Sequence, residues 1–170
     1  MGLMIMLAAG CGSDNKAEPQ PASDIKQLVA QYSTGELKAE RASITSRELI
    51  VTGADQSKKT YRLPEDEFFL SIAPYVDGTH PCEIHNLTSC RGEIADEPFE
   101  IHIQDTEGNT VLNEAVNSQA NGFIDLWLPR DRTYQVTITH ASGTAEQEIS
   151  TFENDFTCIT TMQLQPNSTI

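Results

Sequence analysis

The chemistry open to this chain lies in sulfur and imidazole. Cys82 and Cys90 share the segment His80-Pro81-Cys82-Glu83-Ile84-His85-Asn86-Leu87-Thr88-Ser89-Cys90 with two histidines, and Cys158 stands far downstream. Soft thiolates select Cu(I), Zn(II) or iron–sulfur centres. Four-cysteine zinc and cluster sites need more ligands than these. Two or three thiolates, assisted by an imidazole, suit Cu(I), which accepts low coordination. Zinc fits less well, because three sulfurs with no fourth protein ligand leave its tetrahedral shell incomplete. The metal candidates are therefore Cys82, Cys90 and Cys158. His85, at C-x2-H from Cys82, and His80 are secondary candidates. The same spacing permits a Cys82–Cys90 disulfide, which an oxidising compartment favours. The two readings are compatible: two thiols leaving as a disulfide supply two electrons, so a three-cysteine set could reduce Cu(II) as well as bind Cu(I).

Other reactive residues carry less. His102 sits on the polar side of an alternating run and His140 at the end of another, so both are expected at the surface or rim. Met162 is a soft sulfur near Cys158, but on an extended strand four residues span ~13 Å, so it is expected in the core. Phe123, Trp127 and Leu128 are expected to pack, and Arg130 and Asp131 to shape a turn. Acidic clusters such as Glu65-Asp66-Glu67 lack EF-hand spacing and read as solvated surface. No GxGxxG, Walker A, HExxH, GxSxG or CxxC motif occurs, so the common catalytic signatures are missing and a thioredoxin-like site is unsupported.

The elements that must position these side chains follow from the patterning. Met1–Leu7 is apolar and runs into Ala8-Ala9-Gly10-Cys11, the grammar of an export signal ending in small residues. Residues 12–23 carry no large apolar side chain and read as a tether. A helix is expected from Asp24 as N-cap, with Ile25, Leu28, Val29 and Tyr32 as its apolar stripe and Gly35 as its stop. Strand-like runs follow at Glu48–Thr52, Thr60–Leu63 and Phe68–Val76. From Pro98 the reading is all-β, with runs at Phe99–Gln104, Val111–Val116, Phe123–Leu128, Tyr134–Thr139, Glu146–Thr151 and Cys158–Leu164. The expected fold class is α+β: a short N-terminal helix plus a β-hairpin region, then an antiparallel β-sandwich of Ig-like or transthyretin-like type. The expected organisation is 1–11 lipoprotein signal, 12–23 tether, 24–76 helix-plus-hairpin part, 77–97 Cys/His metal loop and 98–165 sandwich.

Composition sets outer limits. The chain has 170 residues, enough for one compact unit or two small packed ones. Its 25 acidic against 11 basic residues give a net charge of −14, which offers nucleic acid no basic footprint and favours cations. No apolar run approaches the ~18–20 residues of a transmembrane helix.

Two resemblances sharpen this reading. Ala8-Ala9-Gly10-Cys11 resembles the bacterial lipobox, which implies lipidation at Cys11. Gly12, not Asp, follows, so the inner-membrane retention signal of such lipoproteins is absent. No Lys or Arg precedes the apolar stretch, and the true translation start is expected upstream. A lipidated Cys11 leaves three cysteines, an odd number that keeps at least one thiol out of any internal disulfide. The second resemblance rests on three stretches: Ser71–Glu93 (SIAPYVDGTHPCEIHNLTSCRGE), Asn121–Asp131 (NGFIDLWLPRD) and Ile149–Leu164 (ISTFENDFTCITTMQL). They resemble the CueP family of bacterial periplasmic copper-binding proteins, closely over about residues 70–164 and in layout over 24–69. The resemblance implies copper binding in the cell envelope through Cys82, Cys90 and Cys158, copper tolerance, and supply of copper to a periplasmic cuproenzyme such as superoxide dismutase. The lipobox departs from family members that are simply secreted.

The expected protein is thus a lipid-anchored protein of the periplasm or extracytoplasmic face that binds Cu(I) and is not an enzyme with an organic substrate. It touches membrane only through its anchor and does not bind nucleic acid. The rival is a structural Ig-like envelope module in which a Cys82–Cys90 disulfide staples a loop. That rival has no use for Cys158 beyond packing.

Overall fold

The computed structural model describes residues 21–167. The chain opens with one helix, α1 (Ala22–Ser33), which begins directly after Pro21. Pro21 holds φ −55° and ψ 142° and provides no side-chain cap. The expected cap at Asp24 is therefore corrected: this carboxylate lies in the first turn, where it complements the partial positive charge of the helix N-terminus. Ile25 and Val29 are buried as the stripe predicts, with Leu28 and Tyr32 packed at its edge. Gly35, at φ 78°, ends the helix in the left-handed region that a Cβ disfavours.

Four strands follow: β1 (Arg41–Ile44), β2 (Glu48–Thr52), β3 (Lys58–Arg62) and β4 (Glu67–Ile72). A two-residue strand, β5 (His85–Asn86), crosses the loop that holds the cysteines. The first sheet has the order β3-β2-β1-β5 and is antiparallel throughout. Helix α1 packs on it, so that Ile25, Val29, Ala42, Ile44, Leu49 and Leu63 share one apolar cluster with Phe69 and Leu87.

The remaining strands are β6 (Pro98–Asp105), β7 (Thr110–Asn117), β8 (Ile124–Pro129), β9 (Thr133–His140), β10 (Gly143–Ser150) and β11 (Cys158–Ile159). They form a four-stranded sheet, β10-β9-β6-β7, and a three-stranded sheet, β11-β4-β8. Alternate residues of the two sheets meet in one core: Phe99, Ile101 and Ile103 from β6, Tyr134, Val136 and Ile138 from β9, Ile124, Leu126 and Leu128 from β8. The expected fully antiparallel arrangement holds for every pair but one, because β11 runs parallel to β4. The strand expected over Cys158–Leu164 stops at Ile159; beyond it, Gln163 and Gln165 make only single bridges, to Tyr75 and Thr144.

Strand β4 joins the two halves. Its residues alternate faces, as any strand must. Phe68, Leu70 and Ile72 enter the sandwich core, whereas Phe69 enters the cluster under α1. Ser71 shares the face of Phe69, and it is on this face, between the two cores, that the cysteines gather.

Candidate metal centre

Two sheets and one loop assemble the centre. Strand β11 sets Cys158 beside Ser71 of β4, and on the other side of β4 the register pairs Ser71 with Asp125 of β8. Cys158, Ser71 and Asp125 thus form one row across the sheet. Strand β5, held to β1 by the pairing of His85 with Ile44, brings the imidazole over this row. The backbone N–H of His85 donates to Thr157 Oγ1 at 3.1 Å, and that hydroxyl donates onward to the Ile44 carbonyl at 2.6 Å.

The seven residues between the two loop cysteines form a turn. Asn86 Oδ1 accepts from the N–H of Thr88 at 3.2 Å and from its hydroxyl at 2.9 Å, while the Cys90 N–H donates to the Asn86 carbonyl at 3.0 Å. Leu87, buried on the first sheet, anchors the turn. Cys90 is thereby folded back toward Cys82, with the Asn86 N–H donating to its sulfur at 3.4 Å. Behind Cys90 the chain packs backbone to backbone: Gly92 donates to the Asn121 carbonyl at 2.7 Å, and a Cβ on Gly92 would strike the Gly122 carbonyl. Upstream, the loop leading to Cys82 is tied down by Glu93, whose carboxylate accepts from the N–H groups of Val76, Asp77 and Gly78 at 2.8 to 3.2 Å. Those bonds, Val76's foremost, hold its pKa low.

Cys82 and Cys158 are joined in a disulfide with their Cα atoms 5.5 Å apart, and Cys90 is the free thiol among the described residues. Of the pairings the sequence left open, this structure holds Cys82–Cys158 and not the Cys82–Cys90 bridge that the spacing permits. Cys90 Sγ lies 3.7 Å from Cys82 Sγ, close but unbonded, because the parallel β11–β4 pairing presents Cys158 within disulfide reach. His85 completes the group, with Nδ1 3.4 Å from Cys158 Sγ. One donor atom from each of Cys82, His85, Cys90 and Cys158 lies within 4.8 Å of every other. The structure does not bring His80 into this group: it is half-buried, with its ring centroid 6.4 Å from that of Phe123. The premise that zinc would lack a fourth protein ligand does not hold for a group of three sulfurs and an imidazole. Cys11 lies outside the described residues.

The surroundings are dry on one side and open on the other. His85 is 0% exposed and Cys158 1%, whereas Cys82 and Cys90 are half-buried. Phe123 forms the floor, its ring centroid 4.4 Å from the imidazole, and Ala73 packs beside it. Desolvation, followed by the nearby charge of His80, pushes the His85 pKa down from 6.5 to about 3. The ring is therefore neutral at neutral pH, the form that ligates a metal. Burial also pushes the Asp125 carboxyl up, against hydrogen bonds from Ser33, Ser71 and Gln119 that lower it.

Of the other residues considered from sequence, Met162 is buried in the sandwich core and His140 stacks on Phe99. His102, half-buried, lies 3.1 Å from the Thr110 hydroxyl. Arg130 is more than a turn residue: it is buried, and its guanidinium donates to the carbonyls of Ser46 and Glu67 at 2.7 and 3.1 Å. Ser71, Asp125 and the floor residue Phe123 were not legible as site residues. For Ser71 and Asp125 the signal is a polar side chain inside an apolar run, Ser71 within Phe68-Phe69-Leu70-Ser71-Ile72 and Asp125 within Phe123-Ile124-Asp125-Leu126; Phe123 carries none.

Residues 25–163 match a family model described as periplasmic copper-binding protein CueP. A solved structure titled "Crystal Structure of S.CueP" is similar at a TM-score of 0.77 and 33% sequence identity, covering 83% of this chain and 88% of that one. Comparison with curated proteins gave no match.

Proposed function

This chain belongs to the CueP family of periplasmic copper-binding proteins, and from that premise we propose that its cargo is Cu(I), held by the thiolates of Cys82, Cys90 and Cys158 with Nδ1 of His85 as a further donor. The observation that carries this reading is the clustering of four soft or borderline donor atoms within 4.8 Å, drawn from the 82–90 loop and from β11. Thiolates and imidazole match Cu(I), and a mostly apolar floor excludes the carboxylates and water that hard cations require. The disulfide fits the same chemistry. Two Cu(II) ions and two thiols give two Cu(I), one Cys82–Cys158 disulfide and two protons, leaving Cys90 and His85 as donors. Capture by all three sulfurs requires that pair to be reduced first.

In this reading the protein binds copper in the envelope, contributes to copper tolerance and hands Cu(I) to a periplasmic cuproenzyme such as a superoxide dismutase. A lipid on Cys11 anchors it to a membrane, and the two face-to-face sheets are an Ig-like or transthyretin-like sandwich. Among the described residues no helix is long and apolar enough to cross a membrane.

The test mixes reduced protein with Cu(II) anaerobically, following Cu(I) with a colorimetric chelator and thiols with an alkylating label. Cu(I) should appear as thiols disappear, one for one, and Cu(I) supplied directly should bind without thiol loss. Serine at Cys82, Cys90 or Cys158 should weaken retention or reduction. A triple-serine protein that retains Cu(I) as well as the wild type would show that the thiols are not the site.

A further inference from the structure

Behind the sulfurs runs a hydrogen-bonded chain that ends on a buried carboxylate. Ser71 Oγ donates to Asp125 Oδ1 at 2.6 Å, and the same oxygen lies 3.3 Å from His85 Nε2. On the far side of the imidazole, Nδ1 faces Cys158 Sγ. We propose that Asp125, acting through Ser71, is the positioning residue that fixes the His85 tautomer, with the proton on Nε2 and the lone pair of Nδ1 turned toward the sulfur cluster.

A hydroxyl has one proton to give. Ser71 gives its proton to Asp125, so toward His85 it can only accept. The partner atom must then be an Nε2–H, and a neutral imidazole protonated there carries its lone pair on Nδ1. The carboxylate end of the chain is well determined. Besides Ser71, Asp125 accepts from Ser33 Oγ at 2.5 Å and Gln119 Nε2 at 3.0 Å, both on Oδ2. Three donors converge on two oxygens, as an acceptor-only carboxylate requires. The register supplies the rigidity: Cys158, Ser71 and Asp125 lie opposite one another on three paired strands, so both ends of the chain are fixed by the same sheet. Partners of this kind, behind a ligating histidine, orient the ring and raise its basicity, and their loss typically lowers metal affinity by roughly 10–100-fold. Without the carboxylate, the Ser71 proton is free to turn to Nε2, which moves the imidazole proton to Nδ1 and blocks the atom facing the sulfurs.

The consequence for copper rests on the function proposed above; the tautomer does not. The experiment therefore begins with copper-free protein. Long-range 15N–1H correlation spectra distinguish the protonated from the unprotonated ring nitrogen. In the wild type, His85 Nε2 should have the signature of a protonated nitrogen and Nδ1 that of an unprotonated one. Asp125→Asn and Ser71→Ala should each mix or reverse the two, and each should lower Cu(I) affinity by roughly 10–100-fold in a chelator competition. A wild-type spectrum with the proton on Nδ1 overturns the proposal, without need of any variant. So does an unchanged tautomer in folded Ser71→Ala and Asp125→Asn proteins. If the tautomer responds as expected while Cu(I) affinity does not, the positioning stands and it is the assignment of His85 as a copper donor that fails.

Discussion

Acidifying the solution from about pH 7 to about pH 4.5 probes the buried imidazole directly. His85 is held neutral by desolvation and, secondarily, by His80, so that its pKa falls from 6.5 to about 3. Below 6.5 the unfolded chain takes up a proton at this ring and the folded chain refuses it. The contribution is therefore fully present above that value and is lost as pH falls toward the folded pKa. The slope approaches ~1.36 kcal/mol per pH unit, so by about pH 4.5 His85 alone costs the fold roughly 3 kcal/mol. Asp125 works in the opposite sense, since its raised pKa means that the folded state binds a proton more readily. Comparison with His85→Gln, which keeps a polar amide but cannot gain a proton, isolates the imidazole from every carboxylate. Urea unfolding of the oxidised proteins at both pH values should show the wild type losing roughly 3 kcal/mol more than the variant. Parallel losses in the two proteins would refute the idea that this ring is held neutral by burial.

Peptide mapping of the oxidised protein without reductant should recover Cys82 joined to Cys158, with Cys90 alkylated; a Cys82–Cys90 peptide would contradict the observed geometry. The bridge spans 76 residues of sequence, so reducing it should lower stability by roughly 4 kcal/mol on the chain-entropy model, read as a shift in the urea midpoint. Arg130→Met should cost roughly 2 kcal/mol in the same assay, because the carbonyls of Ser46 and Glu67 lose their buried donor. Gly92→Ala should destabilise by about 1–3 kcal/mol and quicken alkylation of Cys90, because the new Cβ meets backbone and not a side chain that can swing away.

What the sequence made legible was periodic. The alternation of Phe99, Ile101 and Ile103 located β6, and Glu48–Thr52 matches β2 residue for residue. Strand β1, Arg-Ala-Ser-Ile, has no such rhythm, since three of its four residues are buried. Strand β5 has two residues and exists only because β1 offers an edge to pair with. The helix start was misassigned to Asp24 because a capping side chain is a local signal, whereas Pro21 acts through its fixed φ. At the site, soft-ligand chemistry could be read from residue types alone, but which cysteine pairs with which could not. Connectivity depends on β11 meeting β4 in parallel, a contact between residues more than eighty apart in sequence. The chain from His85 to Asp125 was hidden for the same reason: Ser71 meets Asp125 only across a sheet and meets His85 only between two sheets.

The alternation of β4 sets how this molecule can come apart. Phe68, Leu70 and Ile72 belong to one core and Phe69 to the other, so neither core can lose the strand while the other keeps it. Among the described residues, β4 thus ties the helix-bearing half to the sandwich as one melting body. Heating should show a single transition, and the amides of Glu67–Ile72 should be among the last to exchange with deuterated solvent. Cys158 joins that same strand at its edge, and Ser71, behind the proposed metal site, sits on its second face. An ion bound there bears on the global unfolding equilibrium and not on a loop's local opening. If copper binds at the proposed site, its affinity should be conveyed to the whole fold, and a chelator strong enough to strip the ion should lower the stability of the entire chain.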